Sequence, residues 1–153
     1  PRKSAGGKTM QPALEFIIWK TPPSKNEHKG AHWSEDQRVH DEWKRETIFN
    51  IMEQTDKPEI NEPVVLLILC FEETIRKKDT LNYASQGAHG IQDGIVSAGI
   101  LEDDNNEIIQ GAYLQWGIAT TKTHTIIRLI KFEQWARTIG GAIQPPIKEE
   151  TNE

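Results

Sequence analysis

Cysteine is nearly absent from this sequence: Cys70 is the only one among 153 residues. A single cysteine cannot form a disulfide within the chain, so other interactions must hold the fold together. Cys70 lies inside an apolar run, which indicates a small buried hydrophobic residue rather than a reactive thiol. The scarcity of cysteine is typical of a reducing compartment, and we expect a cytoplasmic protein.

Long hydrophobic runs and an excess of positive charge are also missing. No apolar segment approaches the roughly 20 residues that a membrane-spanning helix requires, so no membrane association is expected. Residues 1–12 lack the apolar segment of a secretory signal and are predicted to form a flexible basic arm. The formal net charge of −5 is atypical of general nucleic-acid binders, which leaves local basic patches as the surfaces for such binding.

The hydrophobic pattern predicts the order strand, helix, strand, helix, strand, strand. The strands are predicted at residues 14–19, 64–71, 108–118 and 125–132, and the two main helices at 34–54 and from 81 or 82 to 99. The sequence therefore predicts one small α+β domain with a mixed sheet, residues 13–135. An irregular acidic tail is expected at residues 136–153.

Three details of this pattern lead to further expectations. The run at residues 64–71 has no polar alternation, which predicts a strand that is buried on both faces. The short connection between the last two strands predicts that they run antiparallel. Gly87, Gly90 and Gly94 weaken the second helix, which indicates close approach of another backbone, interpreted here as that of a partner subunit.

Charged residues cluster at both ends of the second predicted helix. Arg76, Lys77 and Lys78 precede Asp79 at one end, and Asp103 and Asp104 follow the other end. Clustered carboxylates suit a hard cation such as Mg²⁺, and neighbouring cations suit a phosphate backbone. The alternative interpretation is that Asp79 caps the helix and that residues 103–106 form a turn.

Three stretches, in this order along the chain, carry a resemblance to a known family. The first is a strand followed by a Pro-Pro-Ser-x-Asn turn, residues 19–26. The second is the basic loop that enters a helix, residues 76–82. The third runs from Asp93 through Gly99 to Asp103 and Asp104. In these features the chain resembles the RusA family of Holliday junction resolvases, typically found in phages and prophages, and the order of elements agrees from about residue 14 to 132.

The resemblance implies Mg²⁺-dependent nicking of four-way DNA junctions by a symmetric homodimer, with Mn²⁺ as the alternative ion. Asp79, Asp103 and Asp104 would be catalytic and would bind the metal. His89 takes the position of a family lysine and is the fourth predicted catalytic residue, with Asp93 one turn later expected to orient it. The predicted DNA contacts are Arg76, Lys77, Lys78, Lys25 and Lys29. Such an enzyme would act in the cytoplasm of a bacterial or phage-infected cell.

The chain also departs from the family pattern. Leu81 stands where the family has a second aspartate, a short insertion falls within residues 82–88, and His89 replaces the lysine. Two hypotheses therefore stay open. The first is an active, structure-selective endonuclease, and the alternative is a catalytically inactive DNA-binding or assembly protein on the same fold.

Overall fold

The structure is a computed structural model that describes residues 11–23, 33–74 and 85–138. These residues form a four-stranded mixed sheet and three helices, which confirms the predicted small α+β fold. The strands are β1 Leu14–Ile18, β2 Val64–Glu72, β3 Ile109–Ile118 and β4 His124–Lys131. The helices are α1 Trp33–Gln54, α2 Ser85–Ser97 and α3 Phe132–Thr138. None of these described helices has both the length and the apolar character that crossing a membrane requires.

The sheet is organised around β2, the strand formed by the apolar run. The strand order is β1-β4-β2-β3, and β2 pairs in parallel with β3 and antiparallel with β4. β3 and β4 therefore run in opposite directions, as predicted, but β2 lies between them although their connection is short. That connection crosses the end of β2, where the Ala119 N–H donates to the Glu72 carbonyl at 2.8 Å. β2 is therefore a central strand that is hydrogen-bonded along both of its edges.

Helices α1 and α2 cover one face of the sheet. The buried side chains of α1 recur every four residues and so form one stripe along the helix: Val39, Trp43, Thr47 and Ile51. The stripe packs into a core with α2 and alternate strand residues, among them Phe16, Leu66, Ile68, Ile91, Ile95, Ile127 and Leu129. Burial of each large apolar side chain contributes about 1.5–3 kcal/mol before the entropy of ordering the chain is subtracted.

The glycines of α2 allow the two helices to approach closely. A Cβ atom at Gly90 would lie 2.5 Å from the backbone oxygen of His40, and one at Gly94 would lie 2.7 Å from Thr47 Cβ. Gly87 packs in the same way against the segment that follows β1. The backbone that approaches α2 is therefore α1 of the same chain. The interpretation of this glycine face as a contact with a partner subunit is wrong, while the homodimer itself stays a prediction.

A side chain caps the outer edge of β1. Gln54, the last residue of α1, donates from Nε2 to the Ile17 carbonyl at 2.7 Å, and its Oε1 accepts from the Ile17 N–H at 2.8 Å. Asn50 Oδ1 accepts a further hydrogen bond from the same Nε2 at 2.8 Å and so orients the carboxamide. The carboxamide occupies the place that the backbone of another strand would take, which blocks further pairing of this edge at Ile17.

The opposite face of the sheet is covered less completely. Trp135 of α3 stacks there on Tyr113, with ring centroids 5.5 Å apart. Leu67 and Leu69 are only half-buried, so β2 is not buried on both faces along its whole length as its sequence predicted. α3 itself was not predicted, since its seven residues are too few to display a helical period. The predicted domain limit at residue 135 falls inside this helix.

Candidate functional site

The residues predicted to carry out the chemistry fall into two groups. Asp79 and all five predicted DNA contacts lie outside the described residues: Arg76, Lys77, Lys78, Lys25 and Lys29. His89, Asp103 and Asp104 are described, the histidine on α2 and the two aspartates in the loop between α2 and β3. The structure therefore tests the arrangement on one side of the predicted site only.

Asp103 holds this loop in a turn. Its Oδ1 accepts a hydrogen bond from the backbone N–H of Asp104 at 2.7 Å, and its Oδ2 accepts one from Asn105 Nδ2 at 3.2 Å. The backbone bond and then the Asn105 bond hold the pKa of Asp103 below its ordinary value. Asn105 Oδ1 in turn accepts from the N–H of Glu107 at 3.0 Å. Asp103 thus has the turn-forming role that the composition of residues 103–106 indicated.

Asp104 differs from its neighbour in the direction of its pKa shift. Partial burial raises the pKa of its carboxyl group, hydrogen bonding with the Asp103 side chain raises it next, and the charge of Asp93 adds to both. The residue as a whole is exposed, so solvent and ions can reach it. Carboxylates that lie close together disfavour one another's charged forms, and a bound cation relieves that repulsion. Asp104 is therefore the aspartate of the loop whose surroundings suit a cation.

Asp93 extends from α2 and is bound by a histidine of α1. His40 Nε2 lies 2.5 Å from Asp93 Oδ2, and His40 Nδ1 lies 3.0 Å from Asp41 Oδ1. Burial lowers the pKa of His40, but the hydrogen bonds to Asp41 and Asp93 together outweigh burial, so this pKa lies above its ordinary value. Since both ring nitrogens face carboxylates, the protonated imidazole can donate to both at once. The bond from His40 is also the main cause of the lowered pKa of Asp41.

His89 does not bind Asp93 as the sequence predicted. It is exposed, and it has no hydrogen bond or ion pair with any described residue. The four-residue spacing on one helix permits that pair, but the close approach of α1 at Gly90 brings His40 to Asp93 instead. One signal for His40 was present in the sequence, the adjacent Asp41 on α1. Its second partner could be found only from the contact between the two helices. A catalytic role for His89 stays a prediction.

The carboxylates on this side of the site are too few to hold a metal by themselves. Among the described residues no three His, Cys, Asp or Glu side chains form a group that could hold a metal ion. Asp93 and Asp104 influence each other electrostatically and supply carboxylate oxygens, the donors that Mg²⁺ and Mn²⁺ prefer. Asp103 fits such an ion less well, because both of its oxygens already accept hydrogen bonds in the turn. A complete site needs a further ligand from outside the described ranges, where Asp79 lies.

No protein-family model matches this chain, and neither does any curated protein. The likeness to the RusA family therefore depends on the three sequence stretches and on the order of elements. The predicted order of strands and helices is present in the structure, with α3 added after the last strand.

Proposed function

We propose that this chain is a divalent-cation-dependent endonuclease that resolves four-way DNA junctions, as a homodimer in the cytoplasm of a bacterial or phage-infected cell. The observation that supports this most directly is the exposed carboxyl group of Asp104 in the loop after α2, whose pKa is raised by partial burial, by hydrogen bonding with Asp103 and by the charge of Asp93. The negative charges of Asp93 and Asp103 act on Asp104. Asp104 is one of the residues that the family resemblance assigns to the metal. Cleavage of a phosphodiester needs an activated water and a neutralised leaving oxygen, and a divalent ion held by carboxylates supplies both.

The described residues have different roles in this proposal. Asp104 and Asp93 would hold the ion together with Asp79, whereas Asp103 would keep the loop in the turn that presents Asp104. His40 would be a positioning residue, because its bond to Oδ2 of Asp93 fixes that carboxylate and leaves Oδ1 available. The basic residues 76–78, together with Lys25 and Lys29, would contact the DNA phosphates.

A catalytically inactive DNA-binding or assembly protein is the second candidate. It is favoured by the number of carboxylate oxygens that are already occupied: one on Asp93 by His40, and both on Asp103 by the turn. Leu81 adds to this, since it stands where the family has an aspartate. A protein of this kind would bind a junction and leave its strands intact.

Cleavage of a synthetic four-way junction in the presence of Mg²⁺ separates the two candidates. In the active protein, Asp104→Asn should abolish cleavage, because it keeps the shape of the side chain but removes a charged oxygen ligand. Junction binding should be kept or tightened, since a negative charge near the phosphates is lost. Glu102→Gln is the matched control: it removes another exposed carboxylate of the same loop and should leave cleavage unchanged.

The outcomes that contradict the proposal are equally specific. If Asp104 only forms part of a turn, asparagine is as suitable there as aspartate, and Asp104→Asn should cleave at the wild-type rate. That result would remove Asp104 from the site. Tight junction binding by the wild type without any cleavage, in Mg²⁺ and in Mn²⁺, would establish the inactive protein instead.

A further inference from the structure

A row of three aromatic rings lies on the less covered face of the sheet. Phe71 projects from this face, because it follows the half-buried Leu69 by two residues in β2. His124, the first residue of β4, pairs in register with Phe71, and the two rings stack with centroids 4.9 Å apart. Trp19 directly follows β1, and its ring lies beside that of His124 with centroids 5.5 Å apart. The aromatic row therefore crosses three neighbouring strands near their ends.

Trp19 is the open end of the aromatic row. It is 58% exposed, whereas Phe71 and His124 are half-buried. His124 Nδ1 lies 2.7 Å from the backbone oxygen of Lys122, and it must be the donor because a carbonyl oxygen only accepts. This bond fixes the imidazole between the two other rings. A flat aromatic group can therefore contact Trp19 while the two rings behind it stay in place.

A positive charge accompanies the exposed ring. The ammonium group of Lys122, in the loop between β3 and β4, lies 5.3 Å from the centre of the Trp19 ring. Lys122 is exposed and forms no ion pair with a carboxylate of the described residues. Glu72 comes one residue after Phe71 and so projects from the other face of the sheet, and its carboxylate accepts a hydrogen bond from Thr21 Oγ1 at 3.1 Å. A ligand at Trp19 thus meets a flat apolar ring and a cation together.

We propose that Trp19 and Lys122 form a binding site for single-stranded DNA, in which an unpaired base stacks on the Trp19 ring and a neighbouring phosphate binds the Lys122 ammonium group. Each nucleotide of a single strand supplies a flat aromatic ring and a negative charge next to each other, which matches this pair of groups. Stacking of bases on aromatic side chains beside cations is the usual means of binding single strands without sequence preference. A proline-rich peptide also fits aromatic surfaces, but it brings no regular negative charge for Lys122.

The stacking site is separate from the loop that carries Asp104. That loop precedes β3, which runs parallel to β2, so it lies towards the start of β2. Phe71 and the ring of His124 lie at the other end of β2, and Trp19 adjoins them there. The stacking site needs neither a metal ion nor cleavage, and it goes beyond the phosphate contacts of the proposed nuclease. In a junction-cleaving enzyme it would bind bases that are unpaired where the strands branch.

Fluorescence anisotropy of a labelled oligo(dT) of about 12 nucleotides tests the site, because single-strand binding folds cover roughly 4–16 nucleotides. A chelator is present throughout, so that binding is measured without cleavage. The wild type should bind, and Trp19→Ala should weaken binding by at least about tenfold, since stacking on one ring contributes that much. Trp19→Phe should restore most of the affinity. The circular dichroism of both variants should match that of the wild type, because the side chain is exposed.

An abasic strand of the same length separates stacking from charge attraction. It keeps the phosphates and lacks the bases, so the wild type should bind it at least about tenfold more weakly than oligo(dT). Lys122→Gln should flatten the salt dependence of oligo(dT) binding by about 0.7 in slope, the value for one phosphate contact on a single strand. Equal affinity for the two strands, or an unchanged slope in Lys122→Gln, would overturn the proposed recognition of a base together with its phosphate.

Two matched controls change the same kinds of side chain elsewhere. Phe49→Ala removes an aromatic ring of α1 that is 61% exposed, and Lys57→Gln removes an exposed cation before the start of β2. Both variants should bind oligo(dT) like the wild type. The proposal is overturned if the wild type does not bind at concentrations up to about 100 µM, if Trp19→Ala binds as tightly as the wild type, or if Phe49→Ala loses as much affinity as Trp19→Ala.

Cleavage of a four-way junction in Mg²⁺ is measured separately on the wild type, so that the two proposals can fail independently. Binding of oligo(dT) that depends on Trp19, in a protein that cleaves no junction, would support the stacking site and reject the nuclease. Cleavage by a wild type that does not bind oligo(dT) would support the nuclease and reject the stacking site.

Discussion

The two faces of the sheet are covered very unequally. On the helix side, Leu66 and Ile68 of β2 are 0% and 3% exposed. On the other side their neighbours Leu67 and Leu69 are only half-buried, and the described cover is the seven-residue helix α3. The histidine–aspartate bond between α1 and α2 also belongs to the helix side. The stability of this fold therefore depends mainly on how tightly α1 and α2 pack, and the candidate site is built on that same packing.

The largest difference between the faces is expected for valine in place of glycine. In Gly90→Val the new Cβ would lie 2.5 Å from the backbone oxygen of His40, and a backbone atom cannot move aside without moving α1. We expect a loss of about 3 kcal/mol in the free energy of unfolding, or a fall in Tm of roughly 10 °C. Thermal unfolding followed by circular dichroism measures this change.

Gly111→Val is the matched substitution on the other face. There the nearest atom to a new Cβ is the edge of the Tyr113 ring, at 3.1 Å, and that residue is 45% exposed and can rotate away. Valine also favours a strand more than glycine does. The change in Tm should therefore be small. If Tm fell equally in the two variants, the two faces would contribute equally to stability, which would contradict the expected difference between them.

The main elements of the fold could be predicted from the sequence, because their causes are local. The unequal cover of the two faces could not, since the apolar run of β2 predicted burial on both. The apolar run predicted β2, and apolar residues at helical spacing predicted α1, since both patterns depend only on neighbouring residues. The glycines of α2 were recognised as a place of close approach. Which backbone approaches was not predictable, because it depends on how α1 crosses α2. The position of β2 between β3 and β4 depends in the same way on pairing between distant segments.

In the candidate site, too, local features were predicted from the sequence and contacts between distant segments were not. Asp103 and Asp104 were identified together from composition, and nothing in the sequence distinguishes these adjacent residues. Their different roles follow from hydrogen bonds in the turn and from the approach of Asp93, which only the fold supplies. The pairing of Asp93 was predicted along its own helix, whereas the fold brings His40 from another one.

A smaller effect is expected from the histidine that links the two helices. His40→Gln should lower the free energy of unfolding by about 1–2 kcal/mol at pH 6, since hydrogen bonds from a charged donor are lost. His89→Gln is the control, because His89 is exposed and has no described partner; it should change nothing. Both variants are measured with a chelator present, so that a bound metal does not contribute.

The pH dependence has a defined sign. The pKa of His40 is raised in the folded protein from its ordinary value of 6.5. The stabilisation of the fold by protonated His40 is therefore complete below about pH 6.5. It is lost as the pH rises through the raised pKa that His40 has in the folded protein. The difference in stability between the wild type and His40→Gln should shrink between pH 6 and pH 8.5. A constant difference across this range would mean that the imidazole contributes by packing, and that its charge does not bind the two helices together.

The smallest effect is expected on the open face, at Trp135. Its Nε1 is buried and has no hydrogen-bond partner among the described residues, while its ring stacks on Tyr113. Trp135→Phe keeps an aromatic ring on the tyrosine and removes the unsatisfied donor, which offsets the apolar contact that is lost. The free energy of unfolding should change by less than about 1 kcal/mol.

The same substitution on the helix side, Trp43→Phe, acts on a side chain that is 1% exposed. It should lower the free energy of unfolding by about 2 kcal/mol, because the closed core cannot fill the space left behind. If Trp135→Phe lowered the free energy of unfolding as much as Trp43→Phe, α3 would be packed as tightly as α1 and α2. The less covered face of the sheet would then contribute as much to stability as the helix side.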